Sequence, residues 1–180
     1  YWQKQGSFFQ LSVNLSARQL MQLDLVETLG LIVEKYEIDP RYLCLEITET
    51  ALMEDISHAK EVLTQLRKIG FKIAIDDFGT GYSSMNYLRN IPLDILKIDY
   101  VFVKEMMNNN VDQAIIRAII ELAKALDLQV LAEGVETKEQ RILLSQQGCF
   151  LFQGYLFDRP LPANKFDFCL KKYPPRVQLK

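Results

Sequence analysis

The chain has 180 residues, 49% hydrophobic and 24% charged, which places it in the range of one globular domain able to bury a sizeable core. Its 21 Lys and Arg against 23 Asp and Glu leave a net charge of -2, which excludes a broad basic surface for DNA, RNA or an anionic membrane. No apolar run reaches the roughly 18 residues of a membrane span, Tyr1–Gln5 carries no signal-peptide pattern, and Cys44, Cys149 and Cys169 lack the spacing of a disulfide framework or a thiolate zinc site. A soluble segment in a reducing cytoplasm is the expectation.

Short β-rich runs alternate with longer stretches of helical period, the pattern of βα units that build a parallel sheet. The runs are Phe8–Leu15, Tyr42–Thr48, Phe71–Ile75, Ile95–Ile98, Gln129–Ala132 and Phe150–Phe157. After the first, the S-x-x-Q spacing of Ser16 and Gln19 fits a capping box that starts a helix at once. After the second, Asp55 can cap a helix whose Ile56, Ala59, Leu63, Leu66 and Ile69 recur at helical spacing until Gly70 stops it. Asn108–Asn110 reads as a turn, and Asp112 as the opening of a helix that turns Ile115, Ile116, Ile119, Leu122, Ala123 and Leu126 inward. Thr137 and Gln140 form a second capping box after the fifth run. Residues 1–172 are read as one domain and 173–180, with Pro174 and Pro175, as a linker or tail. The fold class is α/β, part of a barrel of alternating strands and helices.

In such barrels the chemistry collects at the carboxyl ends of the strands. Asn14 ends the first run, Glu46 and Glu49 the second, Asp76 and Asp77 the third, Lys97 and Asp99 the fourth, and Glu133 and Glu136 the fifth; Gln153 lies in the sixth. Taken singly, an acid at a strand end usually caps the next helix or faces solvent. A ring of them on one rim would repel strongly unless cations were bound. The donors are all oxygen, which favours Mg²⁺ or Mn²⁺ over zinc.

Other catalytic machinery is missing from the sequence. The single histidine, His58, falls inside a helix and reads as a surface residue; no G-x-S-x-G elbow and no paired Cys and His are present. Two metal ions held by Asn14, Glu46, Asp76 and Glu133 would polarise a phosphoryl group and activate water, with Lys97 positioning that water or stabilising developing charge. The plainer reading of Lys97 is an ion pair with Asp99 or Asp76. GTGYSS at 79–84 is not a dinucleotide fingerprint, since its last position is serine. DFG at 77–79 has no H-R-D loop to accompany it and is not a kinase triplet. The glycines suggest instead a flexible loop over the site.

The motifs SVNLS at 12–16, LEITE at 45–49, IDDFGTGYSS at 75–84, LKID at 96–99, AEGVE at 132–136 and QGYLF at 153–157 stand in this order. Through them the chain resembles the EAL domain family, bacterial phosphodiesterases that open cyclic di-GMP. The resemblance runs from Phe9 to about Phe168 and implies a TIM-like barrel of which about six of eight βα units are present. It implies that Asn14, Glu46, Asp76 and Glu133 coordinate metal with Asp77 at a second ion, and that Lys97, Glu133 and Asp77 carry the catalysis, Lys97 holding the water. Glu136, Gln153 and Asp99 are implied as substrate contacts or site support, and Glu49 as the anchor of the glycine-rich loop. Two Mg²⁺ or Mn²⁺ ions, a homodimer, and further sensory or GGDEF-type domains follow from the same likeness, as does a cytoplasmic bacterial location, with a parent protein that can be tethered to the inner membrane.

The departures are a start beyond the place of the E-A-L signature strand, Phe150 where the family usually has aspartate, and Tyr100 where it often has arginine. The first implies a segment of a longer protein, without the signature glutamate and a phosphate-holding arginine. Three functions follow for comparison: a metal-dependent phosphodiesterase giving pGpG, a silent cyclic di-GMP receptor, and an interaction module binding neither nucleotide nor metal. Retention of Lys97 and the visible acids favours the first.

Overall fold

In a computed structural model of the chain, which describes residues 9–79 and 85–172, six strands form one parallel sheet in sequential order. They are β1 (Leu11–Asn14), β2 (Leu43–Thr48), β3 (Lys72–Phe78), β4 (Ile95–Ile98), β5 (Gln129–Ala132) and β6 (Leu151–Phe152). Helices α1 (Ala17–Leu20), α2 (Leu25–Lys35), α3 (Glu49–Glu54), α4 (Ile56–Ile69), α5 (Met85–Leu88), α6 (Tyr100–Glu105), α7 (Asn110–Ala125), α8 (Lys138–Gln147) and α9 (Ala163–Lys172) intervene or follow. The sheet curls into a half-barrel. The expectation of six βα units of a TIM-like barrel therefore holds.

Strand alternation divides the core in two. Leu45, Ile47, Ile73, Ile75, Leu96 and Ile98 point outward and join the large cluster shared with the helices. On the other face Cys44, Ala74 and Ile95, with Leu131 packed against them, make a small apolar floor inside the curl. Two residues further along the chain stand Glu46, Asp76 and Lys97 on their strands and Glu133 just past the end of β5. The period of two thus lays a charged layer directly above an apolar one.

The helix starts follow from local chemistry. Both capping boxes form: Gln19 N bonds Ser16 Oγ at 3.3 Å and Gln140 N bonds Thr137 Oγ1 at 3.2 Å. Asp55 caps α4 through His58 N at 3.0 Å, and Gly70 ends it. The start of α7 corrects the sequence reading. Asn109, not Asp112, is the cap, its Oδ1 accepting from Val111 N at 2.9 Å, because its short amide reaches the free amides of the first turn. Ile69, the last residue of the apolar repeat in α4, is 36% exposed.

The sixth strand is also shorter than expected. Only Leu151 and Phe152 pair with β5, after which the chain turns back so that Leu156 N donates to Val135 O at 3.0 Å and Phe157 N to Gly154 O at 3.1 Å. Gly154 makes this possible, since a side chain there would collide with the Val135 backbone. The third strand is longer than expected and runs through Asp76 and Asp77. Residue 8 of the first expected run, the glycine-rich positions 80–84 and the tail 173–180 lie outside the described residues.

Asp94, just before β4, ties the bottom of the sheet together. Its Oδ1 takes Arg67 Nη2 at 3.1 Å and Lys72 Nζ at 3.2 Å, and its Oδ2 takes Ile73 N at 3.0 Å. Asp94→Ala is expected to destabilise the chain by about 2 kcal/mol in urea unfolding, since a nearly buried charged acceptor is lost; a change within error would refute this role. Burial pushes the Cys44 thiol up to about 12 and the Cys149 thiol up to about 11. Cys169 is less enclosed. Thiol titration of the native chain should therefore find one fast-reacting cysteine and, in denaturant, all three.

Candidate active site

Register brings the polar strand ends side by side. Asn14 pairs with Glu46, Thr48 with Asp76, Lys97 with Leu131, and Ile98 with Ala132. Between β3 and β4 the register slips: Ile75 faces Leu96 but Phe78 faces Ile98, so β3 holds one extra residue. Asp77 absorbs it with φ at +54°, in the left-handed region. In a regular strand two successive residues point to opposite faces. This bulge lets Asp76 and Asp77 address the same rim, a use of bulges common next to active sites. One oxygen each from Asp76, Asp77 and Glu133 can be chosen so that all three lie within 4.8 Å of one another.

Lys97 stands at the centre. Its Nζ lies 2.7 Å from Glu46 Oε2, 3.0 Å from Asp76 Oδ1 and 2.7 Å from Glu133 Oε1, and its side chain is 2% exposed. Burial alone would push the ammonium down, but the hydrogen bonds it donates to Glu133, Glu46 and Asp76 outweigh it and hold Lys97 above the usual lysine range. Each acid has one lysine but several acidic neighbours. Burial raises Glu133, with Lys97 working against the shift and the charges of Asp76 and Glu46 adding to it. Burial also raises Asp77, together with the charge of Asp76 and a hydrogen bond and charge from Asp99.

Of the residues expected at the site, Glu46, Asp76, Asp77, Lys97 and Glu133 are brought together. Asn14 is exposed at the end of the edge strand β1, beside Glu46 in register. Asp99 does not pair with Lys97; its carboxylate accepts from Val101 N at 2.7 Å, caps α6, and bonds Asp77. Glu49 is buried in the first turn of α3, while the loop it was expected to anchor lies outside the described residues. Glu136 and Gln153 line, with Glu133, a cavity of about 580 Å³ whose other walls include Tyr100, Tyr155 and Arg159.

Sequence reasoning missed two contributors. Gln140 was read only as half of a capping box, yet its Oε1 also accepts from Glu136 N at 2.8 Å while its Nε2 donates to Val103 O at 3.0 Å. It therefore pins the 133–136 loop to α6. Its spacing three residues after Thr137 signalled the cap, and nothing local signalled the second contact. Arg159 lies over the Tyr155 ring, 4.5 Å from its centroid, a pairing hinted at only by their (i, i+4) spacing.

The donor set fits divalent cations. It consists of carboxylate oxygens crowded enough to raise one another's affinity for protons, and hence for any cation. Among the described residues no helix is long and apolar enough to cross a membrane.

The EAL domain family model matches residues 1–160, and the chain belongs to that family. It is 37% identical over 176 residues to the cyclic di-GMP phosphodiesterase PdeR of Escherichia coli, covering 98% of this chain and 27% of PdeR. Among solved structures it superposes on the PaMucR phosphodiesterase bound to c-di-GMP with a TM-score of 0.88 at 40% identity, covering 92% of this chain and 67% of that one. It superposes on BlrP1 of Klebsiella pneumoniae, in a manganese and cyclic di-GMP complex, with a TM-score of 0.80 at 34% identity, covering 88% and 41%. The chain spans 21% to 27% of the length of curated relatives that it matches.

Because its pKa is raised, Lys97 contributes its full stabilisation at neutral pH and would lose it only above the ordinary lysine range. The raised carboxyls of Glu133 and Asp77 act oppositely, weighing against folding as pH climbs through the acid range. Lys97→Met should therefore cost about 3 kcal/mol at pH 7, a deficit that shrinks at about pH 4 as the acids take up protons. Urea unfolding at both values tests this, and an equal deficit at the two would contradict the charge account.

Proposed function

We propose that the protein is a metal-dependent phosphodiesterase that hydrolyses cyclic di-GMP to linear pGpG. The observation that carries this is the convergence of Glu46, Asp76 and Glu133 on Lys97, with Asp77 alongside, at the mouth of a cavity to which Glu133 also belongs. Family membership and the relatives named for this activity support it.

In this reading Asn14, Glu46, Asp76 and Glu133 would coordinate Mg²⁺ or Mn²⁺, with Asp77 at the second of two ions. Bound ions of this kind polarise the phosphoryl oxygens and offset the charge that develops on them. The three N–H donors of Lys97 are engaged by three acids, so it would hold the attacking water only once bound cations draw one of those carboxylates away from it. Water oxygen joins phosphorus, the ester bond from phosphorus to the 3′ oxygen breaks, and the proton that the water gives up ends on the released 3′ oxygen. Asp99 steadies Asp77. Glu136 can accept the N–H groups on the Watson–Crick edge of guanine, and Gln153 supports the same end of the substrate. Glu49 serves as loop anchor. A homodimer, further sensory or GGDEF-type domains, and a cytoplasmic bacterial setting complete the proposal; the much longer relatives support additional domains.

Incubating the full-length gene product with cyclic di-GMP and Mn²⁺ or Mg²⁺ should yield pGpG, and chelator should abolish the product. Lys97→Ala should lower the rate by roughly 10²- to 10⁴-fold. Tight nucleotide binding with no cleavage under any divalent ion would replace the enzyme with a receptor.

A further inference from the structure

The cavity beside Glu133 has a wall that the chemistry above leaves unused. Tyr100 is the first residue of α6, directly after Asp99, whose cap on Val101 N fixes the backbone there. Its Cβ lies where a side chain on Gly134 would begin: a Cβ built on that glycine would come within 2.7 Å of it, and Gly134 has φ at +66°. The tyrosine is thus seated directly on the 133–136 loop, one residue from Glu133, and no side chain at 134 stands between its ring and the cavity. Even so, Tyr100 is 56% exposed. Across the cavity Tyr155 is 53% exposed, but the Arg159 guanidinium covers one face of its ring. Among the described residues no comparable ring or cation contact covers Tyr100.

A large aromatic ring held open beside a carboxylate is well suited to a flat, polar-edged ligand, because stacking removes its apolar face from water while the ligand's edge remains free to bond neighbouring acids. We propose that Tyr100 is a substrate-contacting residue, its ring forming the surface on which the purine base nearest Glu133 stacks. It sets the affinity for the dinucleotide and takes no part in holding metal. This rests on the proposed function, since the base is that of cyclic di-GMP or its product.

The test titrates pGpG, which the proposed reaction does not consume, into the Mn²⁺-loaded full-length gene product and its Tyr100→Ala and Tyr100→Phe forms. Manganese affinity is measured separately by electron paramagnetic resonance. Tyr100→Ala should weaken pGpG binding by about 5- to 100-fold, Tyr100→Phe by no more than about twofold, and neither should change manganese binding. Thermal melts by circular dichroism confirm that the variants are folded. Unchanged pGpG affinity in Tyr100→Ala, or equal losses in both variants, overturns the stacking role while leaving the phosphodiesterase reading intact. A parent protein that binds manganese but neither pGpG nor cyclic di-GMP overturns both.

Discussion

One buried ammonium among three carboxylates organises the upper half of this sheet. Lys97 lies on an inner strand with an apolar floor beneath it, where an unpaired charge would be costly. Its partners come from β2, β3 and the end of β5, so each must arrive at the same height, and the parallel register delivers them there. A slip of one residue in any of these strands would turn the acid outward into the hydrophobic layer under the helices. Electrostatics and packing therefore demand the same register.

This double demand explains why so much was readable from sequence. Cys44 and Glu46, Ala74 and Asp76, Ile95 and Lys97, and Leu131 and Glu133 repeat one pattern: an apolar residue, then two positions later a charged one, on four strands in turn. The capping boxes at Ser16 and Thr137 depend only on residues three apart, so they were equally legible. Other features depend on partners remote in the chain. The bulge at Asp77 appears only when β3 is laid against β4, and the two-residue length of β6 only when Gly154 meets Val135. The second role of Gln140 requires Val103, 37 residues away. Helix α7 is capped by Asn109 rather than Asp112 for a local reason, but both residue types are good caps and the sequence alone does not choose between them.

The bulge has a further consequence for the site. Two adjacent carboxylates aimed at one rim, with Asp77 held at positive φ, form an arrangement the backbone does not favour, and burial and mutual charge then hinder ionisation of Asp77. These costs are borne by a core that is otherwise closely buried around Ile73 and Ile75. A cation would relieve the electrostatic part while leaving the backbone part.

The site thus separates into two halves with different construction. Charge sits on strands and is fixed by register, whereas the cavity wall beyond Glu133 is made from a loop, a helix start and a turn: Gly134, Tyr100 and Tyr155. These pieces are linked by main-chain contacts, Val135 N to Gln153 O at 3.0 Å and Leu156 N to Val135 O at 3.0 Å, and by Gln140 holding Glu136 N. Side chains on such a frame can change without disturbing the carboxylates, because none of the linking bonds uses them except that of Gln140. The cavity wall is therefore free to vary on this fold, while any change to the charged layer disturbs four strands at once.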